Sequence, residues 1–145
     1  RYGRGLVSIK DEISILRGVA PFSTLDNKRL KLLAFMSTLV DYNTGATVVK
    51  QGDAGDSVYV LIDGRVEASI SRPGEAPLVC EMGEHAFFGE IAVMRGRVRA
   101  ATVTAKTHLV VLKISRNVLQ EMIDAEPELG RRIEQHIEKA GYTFS

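Results

Sequence analysis

A single cysteine, Cys80, excludes an intrachain disulfide framework and a cysteine-based zinc cluster. No run approaches the roughly 18–20 apolar residues needed to cross a bilayer, and the first residues carry no signal-peptide pattern, so a cytosolic location is expected. Charge of neither sign is in excess: 19 Lys and Arg against 18 Asp and Glu leave a net charge of +1. That balance excludes the broad electrostatic surface that nucleic acid or an anionic membrane would require, while leaving room for a small, concentrated positive site. His85, His108 and His136 are scattered and lack the HxH or HExxH spacing of a metal site. There is no GxSxG, no Walker loop and no Cys-His arrangement. Asp53, Asp56 and Asp63 lie in glycine-rich turns, where aspartate serves local backbone hydrogen bonds rather than a catalytic pair. The chain is therefore expected not to be an enzyme and to hold no metal or cofactor. No internal repeat of about 20–50 residues is present.

What is present is an ordinary globular composition, 45% hydrophobic and 26% charged over 145 residues, enough for one domain with a useful core. The chain opens on Arg1 rather than a methionine and is read as a piece of a longer protein. Residues 1–10, which begin glycine-rich and basic, are read as a linker and 11–145 as one domain. Helices are expected over 11–37: one carrying Ile13, Leu16 and Val19 that stops near Pro21, and one capped by Ser23 or Thr24 that carries Leu25, Leu30, Leu33, Ala34 and Phe35. From 38 to 114 the texture is β, with strands expected at Leu39–Tyr42, Thr47–Lys50, Ser57–Ile62, Arg65–Ser71, Leu78–Met82, Ala100–Ala105 and His108–Ile114. Their spacing implies a β-sandwich or barrel, and Asp63-Gly64 reads as a tight hairpin turn. Helix returns over 115–140, capped by Ser115 and broken at Pro127. The class is α+β.

One stretch interrupts the strands, Phe87 to Val103. Gly89 opens a helical turn and is followed by a lone acid, Glu90; Arg99 then enters an apolar run. The residues between them suffice for one short helix and a loop. Backbone N–H groups freed at a helix start attract an anion, and an arginine fork meets two phosphate oxygens at once. An acid beside the same phosphate would be repelled, so Glu90 requires a hydroxyl donor elsewhere on the ligand. A sugar phosphate has both parts. Taken without its neighbours, the same Glu–Arg pair is a surface ion pair worth about 0–1 kcal/mol. Arg95, Arg97 and Arg99 as a basic strip for nucleic acid lack interleaved aromatics, and Arg95 and Arg97 are read as solvated loop residues. Cys80, in an apolar strand, is read as a buried, inert thiol.

Phe88-Gly89-Glu90-Ile91-Ala92 and Arg99-Ala100-Ala101-Thr102-Val103 resemble the phosphate-binding cassette of the cyclic nucleotide-binding domain family. Gly52-Asp53-Ala54-Gly55-Asp56-Ser57-Val58-Tyr59-Val60, Gly64 and Gly83 are similar to that family's turn and strand positions. The resemblance runs from about Leu16 to about Ile137. It implies an antiparallel β-roll with N-terminal helices, a short cassette helix and C-terminal hinge and lid helices. It further implies that Arg99 contacts a ring phosphate, Glu90 the ribose 2′-hydroxyl, and the amides near Ala92 and Ala100 the phosphate oxygens, with Gly89 and Ala101 also among the ligand-binding residues. Ile91 would pass cassette movement to the hinge, and Val79 would touch the base. Ala100 places a methyl group where members preferring cyclic GMP often carry a hydroxyl, which favours cyclic AMP. Two departures stand out: Val98 where proline often precedes the arginine, and His85 at a turn position often held by glycine. The lid residue is left open among Ile133, Ile137, Tyr142 and Phe144.

The function so implied is a regulatory sensor that converts ligand occupancy into helix movement for an effector that the sequence does not identify. The alternatives are a degenerate roll used only for protein interaction or oligomerisation, and the sensor half of a transcription regulator. The oligomeric state is open.

Overall fold

The computed structural model describes residues 8–144, with side chains as far as 139 apart from that of Ile9. Residues 1–7 of the expected linker fall outside the described residues. Ser8 is already structural, because it closes a capping box with Asp11 at the start of α1, Ile9–Arg17. A 3-10 turn over Ala20–Phe22 follows, with Pro21 supplying its preset φ. The second helix, α2, spans Asn27–Met36 and is capped by Asp26, not by Ser23 or Thr24. Ser23 spends its hydroxyl on the Ala20 carbonyl inside the 3-10 turn, and the Asp26 carboxylate accepts from the Arg29 N–H at 2.8 Å. Leu25 is buried ahead of the helix rather than in it, and Phe35, expected on the apolar face, is 76% exposed.

Among the described residues eight strands follow: β1 Thr38–Tyr42, β2 Thr47–Val49, β3 Ser57–Asp63, β4 Val66–Arg72, β5 Glu75–Met82, β6 Phe87–Phe88, β7 Thr102–Ala105 and β8 Leu109–Ser115. They form two antiparallel four-stranded sheets, ordered β1-β8-β3-β6 and β2-β7-β4-β5. β6 has no counterpart among the expected strands; two residues carry no readable period, and pairing with Tyr59 and Val60 defines it.

β3 and β8 are apolar almost throughout, unlike a half-solvated strand. Both of their faces are covered. Val58, Val60 and Ile62 of β3, with Val110, Leu112 and Ile114 of β8, belong to a core shared with the helices. Tyr59 and Leu61, with Leu109 and Val111, join Val66, Ala68 and Val103 in a second core between the sheets. The two-residue period assigns successive side chains to different cores.

At the C-terminal end, the Ser115 hydroxyl accepts from the Val118 N–H and caps α4, Arg116–Ala125. Pro127 opens α5, Pro127–Phe144, at the position where its missing N–H costs nothing. Leu129, Ile133 and Ile137 recur on one face of α5 and enter the helical core with Leu16, Phe22, Leu30 and Leu33. No helix among the described residues is long and apolar enough to cross a membrane.

Candidate functional site

A cavity of about 400 Å³ opens between the second sheet, α5 and a short helix, α3, Glu90–Arg95. Gly89 starts α3 from the left-handed region at φ 89°, and a Cβ there would come within 2.7 Å of an Arg99 nitrogen. Glycine is thus required for conformation and for space.

Arg99 lines the cavity although only 5% exposed. Its guanidinium donates to the Gly89 carbonyl at 3.0 Å and the Ser57 carbonyl at 2.8 Å, and lies over the Tyr59 ring at 5.7 Å from the centroid. Among the described residues no carboxylate lies within ion-pair distance of it. Two of five N–H donors are engaged, so a buried cation retains both charge and donors for an anion.

The loop over residues 52–56 holds this arginine in place. Its backbone is gripped on both sides: Arg99 N–H donates to the Asp53 carbonyl at 2.7 Å and Gly52 N–H to the Arg99 carbonyl at 2.9 Å. Gly55 approaches so closely that a Cβ would sit 2.4 Å from that of Ala92 and 3.1 Å from the guanidinium carbon. The loop is also tied to α4, since Arg116 donates to the Gly55 carbonyl at 2.6 Å. Val98, standing where proline often precedes the arginine, makes an isolated bridge to Ala54.

Glu90, the first residue of α3, is 4% exposed and leaves Oε2 with no hydrogen-bond partner. Burial pushes its pKa up from 4.5 to about 7, against the opposing pull of its own backbone N–H and of Arg99. His136 of α5 stands beside it: its Nε2 is 3.1 Å from the Phe87 carbonyl and 3.8 Å from Glu90 Oε2, with its ring tilted against Phe87. Burial lowers the pKa of His136, the Phe87 hydrogen bond opposes this, and the charge of Lys139 adds to it.

Gly89, Glu90, Ile91, Ala92, Arg99, Ala100 and Ala101 all line the cavity. Val79 does not; it is 55% exposed. In the register of β4 with β5, Ala68 faces Cys80 and Val66 faces Met82, so these two β5 side chains share the inward face and Val79 takes the outward one. Cys80 is accordingly half-buried on the cavity wall, rather than sealed in a core as expected. Arg95 is exposed, as expected, but is not a loop residue. It ends α3 and forms an ion pair with Glu134 of α5 at 2.7 Å. Of the four residues considered for a lid, Ile133 and Ile137 are buried in the helical core, and the side chains of Tyr142 and Phe144 lie outside the described residues. Among the described residues, those of α5 on the cavity are His136 and Lys139, which no sequence period distinguishes. His85 adopts φ 71° in the turn before β6, the left-handed conformation that glycine would take without strain.

The chain resembles known proteins in sequence and in fold. The chain is 29% identical over 124 residues to a cAMP-dependent protein kinase regulatory subunit of Emericella nidulans, and the match covers 86% of this chain and 28% of that protein. It is 32% identical over 108 residues to the subunit of the same description from Yarrowia lipolytica, covering 74% of this chain and 28% of that one. The chain thus spans under a third of these relatives. Its fold superposes with a TM-score of 0.79 on the regulatory domain of Toxoplasma gondii PKA crystallised with cAMP, at 23% identity, over 90% of this chain and 50% of that one. Residues 39–126 match the model described as the cyclic nucleotide-binding domain. A two-sheet roll with a cassette helix, covered on one side by N- and C-terminal helices and matched over more than half its length, makes this chain a member of the cyclic nucleotide-binding domain family.

Proposed function

We propose that this domain binds cyclic AMP and acts as a non-enzymatic sensor whose cassette and C-terminal helices report occupancy. The observation that carries the reading is Arg99, a buried guanidinium on a cavity wall with no carboxylate within ion-pair distance among the described residues. A cyclic phosphate carries the single negative charge that this cation matches, and the first-turn N–H groups of α3 have no partner within the helix. Arg99 takes the phosphate, assisted by amides from Gly89 to Ala92 and at Ala100 and Ala101. Glu90 takes the 2′-hydroxyl through an oxygen that lacks a partner. The purine lies along Val49, Ala68, Met82 and Val103, with Cys80 rather than Val79 beside it. The methyl of Ala100 gives guanine no added hydrogen bond, which favours adenine.

Ligand binding favours the state in which cassette and helices close together, and Ile91, part-buried against the helical core, passes the change on. The output partner is a protein or domain that reads α4 and α5. The regulatory-subunit relatives support a kinase in that role.

Calorimetric titration with cyclic AMP, and with cyclic GMP in parallel, tests the assignment. Arg99→Ala should lose on the order of 2–5 kcal/mol of binding, about 30-fold or more in Kd. Arg97→Ala, an exposed loop change, should stay near the parent value. Equal affinities for the two variants would sink the reading, and so would the absence of any binding.

A further inference from the structure

We propose that His136 is a positioning residue through which the last helix registers an occupied site, by holding the cassette at Phe87 and bridging to Glu90 when a ligand hydroxyl engages that carboxylate. The proposal rests on the ligand reading above, specifically on Glu90 meeting a hydroxyl. Three observations converge on it. The Phe87 carbonyl can only accept, so the 3.1 Å contact places the imidazole proton on Nε2 and leaves Nδ1 with the lone pair. The same Nε2 is 3.8 Å from Glu90 Oε2, a buried oxygen with no hydrogen-bond partner. The ring also rests on Phe87 and lines the cavity, so one α5 side chain touches β6, α3 and the ligand space together.

The charged groups around the imidazole decide the direction of the effect. Glu90 faces it from α3, with Arg99 behind; Lys139 lies one turn along α5; the Arg95–Glu134 pair closes the α3–α5 seam nearby. Without ligand, burial favours a neutral carboxyl on Glu90 and a neutral imidazole on His136. A hydroxyl donating to Glu90 stabilises its carboxylate. An adjacent carboxylate in turn stabilises imidazolium, formed by solvent protonating Nδ1 of the half-buried ring. Nε2–H then becomes a charged donor held between Phe87 and Glu90, and α5 is drawn onto the cassette.

Histidine NMR on the whole chain reads this directly, because there are only three histidines and His136→Gln assigns the signal. Saturating cyclic AMP should raise the titration midpoint of His136 by about one pH unit. In Glu90→Gln, at cyclic AMP concentrations that still saturate it, the rise should disappear. A midpoint unchanged or lowered in the parent, or an equal rise in Glu90→Gln, overturns the proposal. Hydrogen exchange supplies the mechanical readout. Cyclic AMP should increase protection of the α5 amides in the parent and in His136→Gln, which retains an N–H donor. In His136→Phe, which retains only the ring, that gain should fall away and affinity should drop about 5-fold. Undiminished protection in His136→Phe overturns the role of His136 while leaving the ligand reading intact. A parent protein that binds no cyclic AMP overturns both.

Discussion

Glu90 is buried with one oxygen unsatisfied, and its ionisation therefore works against the free domain. Its folded pKa, about 7, lies above the ordinary 4.5, so the folded state holds the proton more tightly. Stability from this group is full below pH 4.5 and is lost as pH rises to about 7, beyond which the loss is constant. Glu90→Gln should accordingly raise the melting temperature at pH 8 and change it little at pH 4.5. The gain at pH 8 should reach on the order of 3 kcal/mol at most, as differential scanning calorimetry at the two pH values will show. An acid at odds with stability is consistent with one retained for ligand contact. Glu90 and Arg99 were legible in the chain because the cassette that presents them is nearly contiguous, with chemistry and spacing visible together. His136 was not, since on an amphipathic helix a histidine facing a cavity and one facing solvent obey the same period. The resemblance puts Val79 against the base by its place in the strand before the cassette, and alternation alone does not show which set of side chains faces in; the pairing of Ala68 with Cys80 decides that.

At the level of elements, the loop over 52–56 is a clamp on the arginine more than a connection between strands. Gly55→Ala would drive a methyl into Ala92 and the guanidinium of Arg99. It should cost about 1–3 kcal/mol of stability, with cyclic AMP affinity falling in parallel. Gly83→Ala, where a Cβ meets nothing within 4 Å, is the control and should remain within about 0.5 kcal/mol of the parent. Denaturant melts and titrations of the two variants separate a steric clamp from a general intolerance of alanine. The glycines of this loop were visible as turn signals, but their close approach to a residue more than forty positions later was not. Helix ends show the same limit. Ser115 and Pro127 read correctly because nothing competes for them, whereas Ser23 was claimed by the 3-10 turn and left the cap of α2 to Asp26.

In the whole molecule, the N-terminal helices and α5 share one core with the outer face of β3 and β8. Leu16, Phe22, Leu30 and Leu33 come from one end of the chain, and Leu129, Ile133 and Ile137 from the other. The family-matched span, 39–126, contains none of these residues. Expressed alone, it would expose the outer faces of both central strands. It should lack the cooperative calorimetric transition expected of the chain over 1–145; a sharp transition in the shorter piece would show that the helices are dispensable cover.

The division of β3 between two cores bears on how such a domain changes over time. Even-numbered positions from Val58 to Ile62 address the helices, and odd-numbered Tyr59 and Leu61 address the space between the sheets that continues into the ligand cavity. Drift at the odd parity can therefore act on the cavity from behind, through Tyr59 beneath Arg99 and Phe88, while the even parity keeps the interface with the helices. Input and output can diversify separately along a single seven-residue strand.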